Sequence, residues 1–328
     1  MSETTQLKQR AQACRKASRL VAQLDTAQKN KLLADMAEQL LANSEFINSE
    51  NKKDLDKAKE SGLSDALIDR LVIDASRLQK MSNALRDVAA LPDPVGEITQ
   101  TWRRPNGIEV AYKRIPLGVI AMIYESRPNV TSDAAGLCLK AGNAVFLRGG
   151  SEAFFSNQAI ALALHKALEA NNIPQDAITL VPTTDRAAIT EMLTFTEEID
   201  IVIPRGGEGL IRFVSETSRI PVIKHYKGVC HQFVDASADI RMAIDLLVDG
   251  KCSRPGVCNA LETLLVHQDV AAEFLPKAAA VMRKQGVELR GCEKTRQHLS
   301  DIPQATDEDY YAEYLSLILA VKVVNTMD

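Results

Sequence analysis

Cys258 is the side chain in this sequence best placed to act as a nucleophile. It ends the loop Lys251-Cys252-Ser253-Arg254-Pro255-Gly256-Val257-Cys258 and stands just before an apolar run, Leu261–Val266. A loop in that position can expose a thiolate at a domain edge. The competing reading is a small buried hydrophobe, the commoner fate of a free cysteine, and Cys252 in the same loop competes for the role. The five histidines are scattered, so neither a Cys–His dyad nor a metal-binding set is indicated. Asn129 is the second candidate. It lies in Tyr124-Glu125-Ser126-Arg127-Pro128-Asn129-Val130-Thr131, after an apolar strand pattern, where open α/β sheets present residues to ligands. The alternative is that Asn129 caps the following helix. Two glycine clusters, Arg148-Gly149-Gly150-Ser151 and Arg205-Gly206-Gly207-Glu208-Gly209, each stand between a strand and a helix. Backbone N–H groups there, beside an arginine, can hold a phosphate, although glycine is common at any tight turn of this kind. Neither GxGxxG nor GxxxxGK[ST] occurs in the chain.

The elements that must carry these residues follow from hydrophobic period. Residues 1 to 91 read as helix. Leu7, Ala11, Cys14, Ser18 and Val21 recur at helical spacing, as do Leu32, Leu33, Met36, Leu40 and Leu41. After a stop at Ser61-Gly62, Leu63, Leu67, Leu71 and Leu78 make another stripe, and Pro92 and Pro94 close the block. Over 97–114, two polar–apolar stretches flank Pro105-Asn106-Gly107, a hairpin signal in which both turn positions take positive φ. Rich in Arg and Thr with little to bury, this hairpin reads as an arm that pairs with another subunit's sheet edge. From Ile115, strands are expected near Gly118–Ile123, Ala144–Leu147, Ile178–Val181, Asp200–Ile203 and Pro221–Ile223. Helices are expected near 131–141, 152–171, 185–195 and 207–217. Such alternation predicts a parallel sheet covered on both faces. A second α/β block starts at Cys230–Asp235, with a helix near 238–249, a strand at Leu261–Val266 and a helix at 269–285.

Composition narrows the function. Lys and Arg number 39 against 43 Asp and Glu, a net charge of −4, which argues against nucleic acid as the partner. A length of 328 residues suggests two domains, and 25% charged residues exclude wholesale disorder. No apolar run reaches membrane-span length; Leu315–Val324 is interrupted by Ser316 and Lys322. Lys8, Arg10, Arg15, Lys16 and Arg19 would suit a transit peptide, but their helical framework and the acid at Asp25 favour an ordinary first helix. Six scattered cysteines without a CxxC pair exclude a disulfide framework or zinc knuckle, and fit a reducing, cytoplasmic setting.

Four ordered stretches carry a resemblance: Tyr124–Thr131 (YESRPNVT), Leu137–Gly150 (LCLKAGNAVFLRGG), Asp200–Gly207 (DIVIPRGG) and Gly256–Val266 (GVCNALETLLV). Together they resemble the gamma-glutamyl phosphate reductases of the aldehyde dehydrogenase superfamily, and the resemblance runs the length of the chain. It implies an aldehyde-dehydrogenase-like α/β fold of two parallel, Rossmann-like domains with an N-terminal helical segment and a β-hairpin oligomerisation arm. The expected division is 1–96 and 115–226 for the helices and NADPH-binding domain, 97–114 for the hairpin, and 227–328 for the catalytic domain.

The resemblance also assigns roles. Cys258 stands where the family has its catalytic thiol. Asn129 stands where the superfamily has the amide of its oxyanion hole, with the Cys258 backbone N–H as the other donor. Arg148 aligns with a superfamily lysine that contacts the cofactor ribose, within a cofactor-binding set of Arg148, Gly149, Gly150, Ser151, Gly206, Gly207 and Glu313. Ser151 falls where NAD-using relatives carry a glutamate, and a serine there would not repel the 2′-phosphate of NADPH. Arg127 and Arg254 are the expected substrate-binding cations, or else ordinary ion-pair partners. Aldehyde-oxidising relatives carry a water-activating glutamate in the stretch matching 222–228, and this chain has no acid there. The implied activity is therefore NADPH-dependent reduction of L-glutamate 5-phosphate to L-glutamate 5-semialdehyde through a cysteine thioester. That is the second step of proline biosynthesis from glutamate. A homo-oligomer is implied, and the lability of acyl phosphates makes glutamate 5-kinase a sensible partner. Members of the family continue beyond the position where this sequence stops, so the catalytic domain is expected to be incomplete. The alternative reading is accordingly a catalytically idle binding or assembly module.

Overall fold

Helices α1 (Glu3–Val21), α2 (Thr26–Ala42), α3 (Ser44–Glu60), α4 (Asp65–Leu71) and α5 (Ala75–Ala90) open the chain in a computed structural model that describes residues 3–224 and 227–326. The expected stripes are the buried ones: Leu7, Ala11, Cys14, Ser18 and Val21 on α1, and Leu32, Leu33, Met36 and Leu40 on α2. Asp25 and Gln28 form a capping box that starts α2, and Gly62, at φ 71°, closes α3. The stripe from Leu63 to Leu78 is divided between α4 and α5. Asp74 accepts the Arg77 N–H at 2.7 Å and begins a new helix there.

Strands β1 (Ile98–Arg103) and β2 (Glu109–Lys113) pair antiparallel, with the Trp102 and Tyr112 rings in tilted contact at 5.0 Å between centroids. The hairpin turn differs from expectation, because only Gly107 takes positive φ, at 87°. The Gly107 N–H donates to Arg104 O at 2.9 Å, and Arg104 N–H donates to Ile108 O at 2.8 Å. Pro105, locked near φ −65°, cannot enter the left-handed region that the mirror-image turn requires.

A four-stranded parallel sheet follows. It contains β3 (Val119–Tyr124), β4 (Ala144–Gly149), β5 (Ile178–Leu180) and β6 (Ile201–Arg205), in the spatial order β5-β4-β3-β6. Helices α6 (Asn129–Lys140), α7 (Phe154–Ala170) and α8 (Ala187–Met192) make the crossovers, and α9 (Glu208–Thr217) follows β6. Alternate residues of β3 enter two different cores. Ile120 and Tyr124 pack with α2, α5, α6 and α7, whereas Val119, Ala121 and Ile123 pack with α1, α8 and α9. Both faces are covered, as the unbroken apolar strands demand. The expected strand at Pro221–Ile223 is only an isolated parallel bridge between Val222 and Val202. Pro221 lacks the N–H that would extend the ladder.

The second sheet is also parallel. It contains β7 (Cys230–Val234), β8 (Leu261–His267), β9 (Glu288–Gly291) and β10 (Ile318–Val324), in the order β7-β8-β10-β9. Helices α10 (Ile240–Cys252), α11 (Gln268–Lys284) and α12 (Glu293–His298) accompany it, and Leu247, Leu264, Val266, Phe274 and Leu319 lie in its core. The chain divides into two units, 1–225 and 226–328. His225 and Tyr226, on which the expected boundary falls, lie outside the described residues.

Candidate active site

In the first unit, three adjacent parallel strands deliver the predicted residues to one edge of the sheet. Strands β4, β3 and β6 end at Gly149, Tyr124 and Arg205, so the segments that follow them are neighbours by topology. This is the carboxyl edge, where β3 and β6 flank the switch in strand order. Tyr124 is buried, and its hydroxyl shares a hydrogen bond with Thr131 Oγ1 at 2.7 Å; Thr131 in turn donates to Asn157 Oδ1 at 3.0 Å. A methyl group on Gly149 would overlap the Asn157 amide and crowd the Tyr124 ring at 3.1 Å. Only glycine fits this approach. Ser126, at φ 33°, bends the chain into the next segment, which carries exposed Arg127 and Asn129.

Asn129 is the first residue of α6, not its cap. Pro128 occupies the cap position, and the Asn129 amide donates to Asp133 Oδ2 at 2.8 Å, one turn along. Burial raises the Asp133 pKa, and the hydrogen bonds from Asn129 and Ser132 oppose that rise. The capping alternative is therefore removed.

The two glycine turns differ. The N-terminus of α7 is already occupied: Asp54, brought in from α3, accepts Phe155 N–H at 3.2 Å, Ser156 N–H at 2.8 Å and the Ser156 hydroxyl at 2.6 Å. Asp54 is 2% exposed, and burial raises its pKa against the pull of those donors. Those two N–H groups are therefore not available to a phosphate. At α9 the Gly207 N–H donates to Glu125 Oε2 at 2.9 Å, and Glu125 is exposed, with no other carboxylate bond among the described residues. Its carboxylate packs on Gly206, where a methyl group would meet Oε2 at 2.5 Å.

Arg148 is 8% exposed; its Nη2 donates to Thr184 O at 2.8 Å, and its buried Nε has no hydrogen-bond partner among the described residues. Burial lowers the guanidinium pKa, though the group stays charged. Ser151 donates to Glu152 Oε1 at 3.1 Å. A carboxylate is thus present at this turn after all, one residue beyond the position that the sequence argument singled out.

In the second unit the predicted residues precede strands rather than follow them. Cys258 and Glu313 stand just ahead of β8 and β10, and Gly228 stands ahead of their neighbour β7. Cys258 is exposed. A methyl group on Gly228 would come within 2.5 Å of the Cys258 carbonyl oxygen and 3.7 Å of Glu313 Oε1. Gly228 therefore lies against both, and its lack of a side chain is what lets the Cys258 backbone pass. The sequence reading missed this glycine, although its place immediately before a strand was a usable signal. Cys230 Sγ contacts the Cys258 carbonyl at 3.7 Å. Arg254 is exposed in the same loop.

The rival thiol, Cys252, is half-buried at the end of α10, and burial raises its pKa, with Lys251 opposing. Cys14 and Cys138 are buried and pushed up to about 12. At Cys292 burial again acts upward, but hydrogen bonds led by those of Thr295 prevail and draw the thiol down; that sulfur caps α12. No group of His, Cys, Asp and Glu able to hold a metal ion occurs among the described residues. Nor is any described helix long and apolar enough to cross a membrane. Within the acid-free stretch 222–228, His225 and Tyr226 lie outside the described residues.

The profile of the aldehyde dehydrogenase family matches residues 1–296. A gamma-glutamyl phosphate reductase of Salinibacter ruber is 61% identical over 327 residues, covering 100% of this chain and 75% of the relative. Another, from Geotalea daltonii, is 56% identical, covering 100% of this chain and 78% of its own length. The crystal structure of a gamma-glutamyl phosphate reductase from Thermotoga maritima superposes with a TM-score of 0.93 at 44% identity, over 97% of this chain and 77% of that one.

Proposed function

The chain belongs to the aldehyde dehydrogenase family and groups with its gamma-glutamyl phosphate reductases, and we propose that it reduces L-glutamate 5-phosphate to L-glutamate 5-semialdehyde with NADPH. The observation that carries this reading is the exposed thiol of Cys258, in a loop seated on Gly228, in a chain so similar to those reductases.

A dinucleotide suits the first unit on two counts. Arg148 keeps a buried Nε without a hydrogen-bond partner among the described residues, and at the α9 N-terminus the Gly207 N–H is met by an exposed carboxylate, Glu125. Arg148, Gly150, Ser151, Gly206 and Gly207 would hold NADPH, and Glu313 its nicotinamide ribose. When bound, NADPH supplies the hydride that reduces a thioester.

The chain's own residues do the rest. The Cys258 thiolate attacks the acyl carbon, the C–S bond forms, and the C–O bond to phosphate breaks with its electron pair on phosphate. Phosphate is a stable leaving group, so no strong general acid is needed. Asn129 serves as a donor to the carbonyl oxygen as it gains charge. After hydride addition the thiohemiacetal collapses, releasing the aldehyde and restoring the thiolate. A water-activating acid in 222–228 would hydrolyse the thioester, and its absence from the sequence fits reduction. Arg127 and Arg254 are assigned to the substrate's phosphate and α-carboxylate. On the same reading the 97–114 hairpin is an oligomerisation arm, the protein works in the cytoplasm, and a glutamate 5-kinase is a sensible partner.

The test runs the reaction backward. The protein is mixed with NADP, inorganic phosphate and glutamate 5-semialdehyde, and NADPH is followed by its absorbance. The expected result is phosphate-dependent NADPH formation that Cys258→Ala abolishes. A folded protein that forms none, or a Cys258→Ala variant that keeps the rate, overturns the proposal.

A further inference from the structure

The base of the Cys258 loop is closed by a buried ion pair. Lys251 Nζ lies 2.7 Å from Glu262 Oε2, and both side chains are 0% exposed. Lys251 stands in the last turn of α10 and Glu262 is the second residue of β8, so the pair joins the two stems of the loop that carries Cys258. The other oxygen, Glu262 Oε1, accepts the Leu315 N–H at 3.2 Å.

Leu315 sits at φ 52°, a left-handed conformation that leucine holds only where its surroundings impose it. It is two residues from Glu313, whose carboxylate lies beside Gly228, as does the Cys258 carbonyl. The Leu315 carbonyl lies 3.7 Å from where a methyl group on Gly256 would stand, inside the cysteine loop. The segment 313–315 is thus fastened to the loop at Glu262 and stacked on it at Gly256. Lys251 also lies 5.9 Å from the Tyr314 ring centroid, and the Tyr314 hydroxyl donates to Asp309 Oδ1 at 2.6 Å.

A fully buried ion pair is a poor way to gain stability. Desolvation offsets most of the attraction, and apolar pairs of similar volume often serve as well or better. What an apolar pair cannot do is accept the Leu315 N–H from a fixed position. We propose that Glu262 is a positioning residue: with its buried charge balanced by Lys251, it holds the 313–315 segment against the Cys258 loop and so fixes Glu313 relative to the thiol. The inference deepens the proposed reductase reading and rests on its assignment of Cys258 and Glu313.

Two double variants of the 328-residue chain separate positioning from simple stability, and neither leaves a lone buried charge. In Lys251→Met/Glu262→Leu the Leu315 N–H loses its acceptor; in Lys251→Met/Glu262→Gln an amide oxygen remains to accept it. Both should fold with thermal midpoints near that of the wild type. The Leu variant should lose about ten- to a hundredfold in kcat, with KM for the semialdehyde changing by less than about threefold, and the Gln variant should recover most of the loss. Hydrogen exchange read on peptides spanning 254–260 and 313–317 should quicken in the Leu variant and return toward wild type in the Gln variant. A Leu variant with wild-type kcat and exchange overturns the inference, as do two variants equally impaired. If the wild type itself forms no NADPH, the reductase reading fails, and the exchange data alone then decide whether Glu262 fastens the two segments.

Discussion

The two sheets use opposite edges. In the first unit the predicted residues follow β3, β4 and β6 and gather at the carboxyl edge, where the helices α7 and α9 begin. In the second they precede β8 and β10 and gather, with Gly228 ahead of β7, at the amino edge, where α10 ends ahead of the cysteine loop. A carboxyl edge presents free N–H groups and the positive ends of helices, which suits an anionic cofactor. An amino edge presents helix carbonyls, so it offers an anion little. The second unit fixes its residues by other means: a backbone pressed against Gly228, and the Lys251–Glu262 pair beneath the loop. Inside the first unit a further contrast appears. Two carboxylates sit at two helix starts, Asp54 buried with three donors and Glu125 exposed with one.

The largest break in that pattern comes from Asp54→Ala. It strands two N–H groups and a hydroxyl inside the protein, so the unfolding free energy should fall by about 3 kcal/mol in urea titrations. A loss under about 1 kcal/mol would mean that α7 does not depend on a borrowed cap.

Gly228→Ala tests the second unit. The added methyl meets backbone, the Cys258 carbonyl at 2.5 Å, and so cannot be accommodated by a side-chain rotation. The cysteine loop must move, and kcat in the reverse assay should drop by about ten- to a hundredfold. A variant with unchanged kcat would show that the loop tolerates displacement.

How much could be read beforehand follows the same division. Glycines and apolar runs are local signals, so β3, β4, β6, the helices between them and the turns at Gly149 and Gly206 were legible. Asp54 was not. It meets Ser156 from 102 positions away, and nothing in its neighbourhood marks a cap. The Glu262–Leu315 bond spans 53 positions and was equally silent. At the hairpin turn Pro105 overrules the Asn-Gly signal, and the Glu152 carboxylate stands one residue beyond Ser151. At Asn129 the sequence left two roles open, and only the side chain's bond to Asp133 removed one.

A smaller effect is expected at Asp309, where the second unit again relies on charge. Burial pushes this carboxyl up, but Tyr314, Thr306 and Arg290 donate to it and hold it well below the usual carboxylate range. A depressed folded pKa gives stability that is present above the unfolded value, near about 3.9, and is lost as pH falls toward the folded one. Asp309→Asn should therefore be less stable than the wild type at neutral pH. The gap should close as urea titrations are stepped below about pH 4. A gap that stays constant with pH would assign the loss to packing instead of charge.

The smallest effect belongs to Glu125→Gln, and it bears most directly on the contrast between the two helix starts. The amide keeps an oxygen to accept the Gly207 N–H and removes only the charge, at an exposed site. Losing a carboxylate from a helix start costs about 0.3–1 kcal/mol, so the stability change should be several times smaller than that of Asp54→Ala. The cofactor should respond in the opposite sense. A carboxylate over the α9 N-terminus competes with any phosphate drawn to the same N–H groups, so the neutral amide should bind NADPH tighter by up to about fivefold in a fluorescence titration. Weaker binding would mean that Glu125 itself contacts the dinucleotide, and that the two carboxylates, one buried and one exposed, are both fixed parts of the first unit.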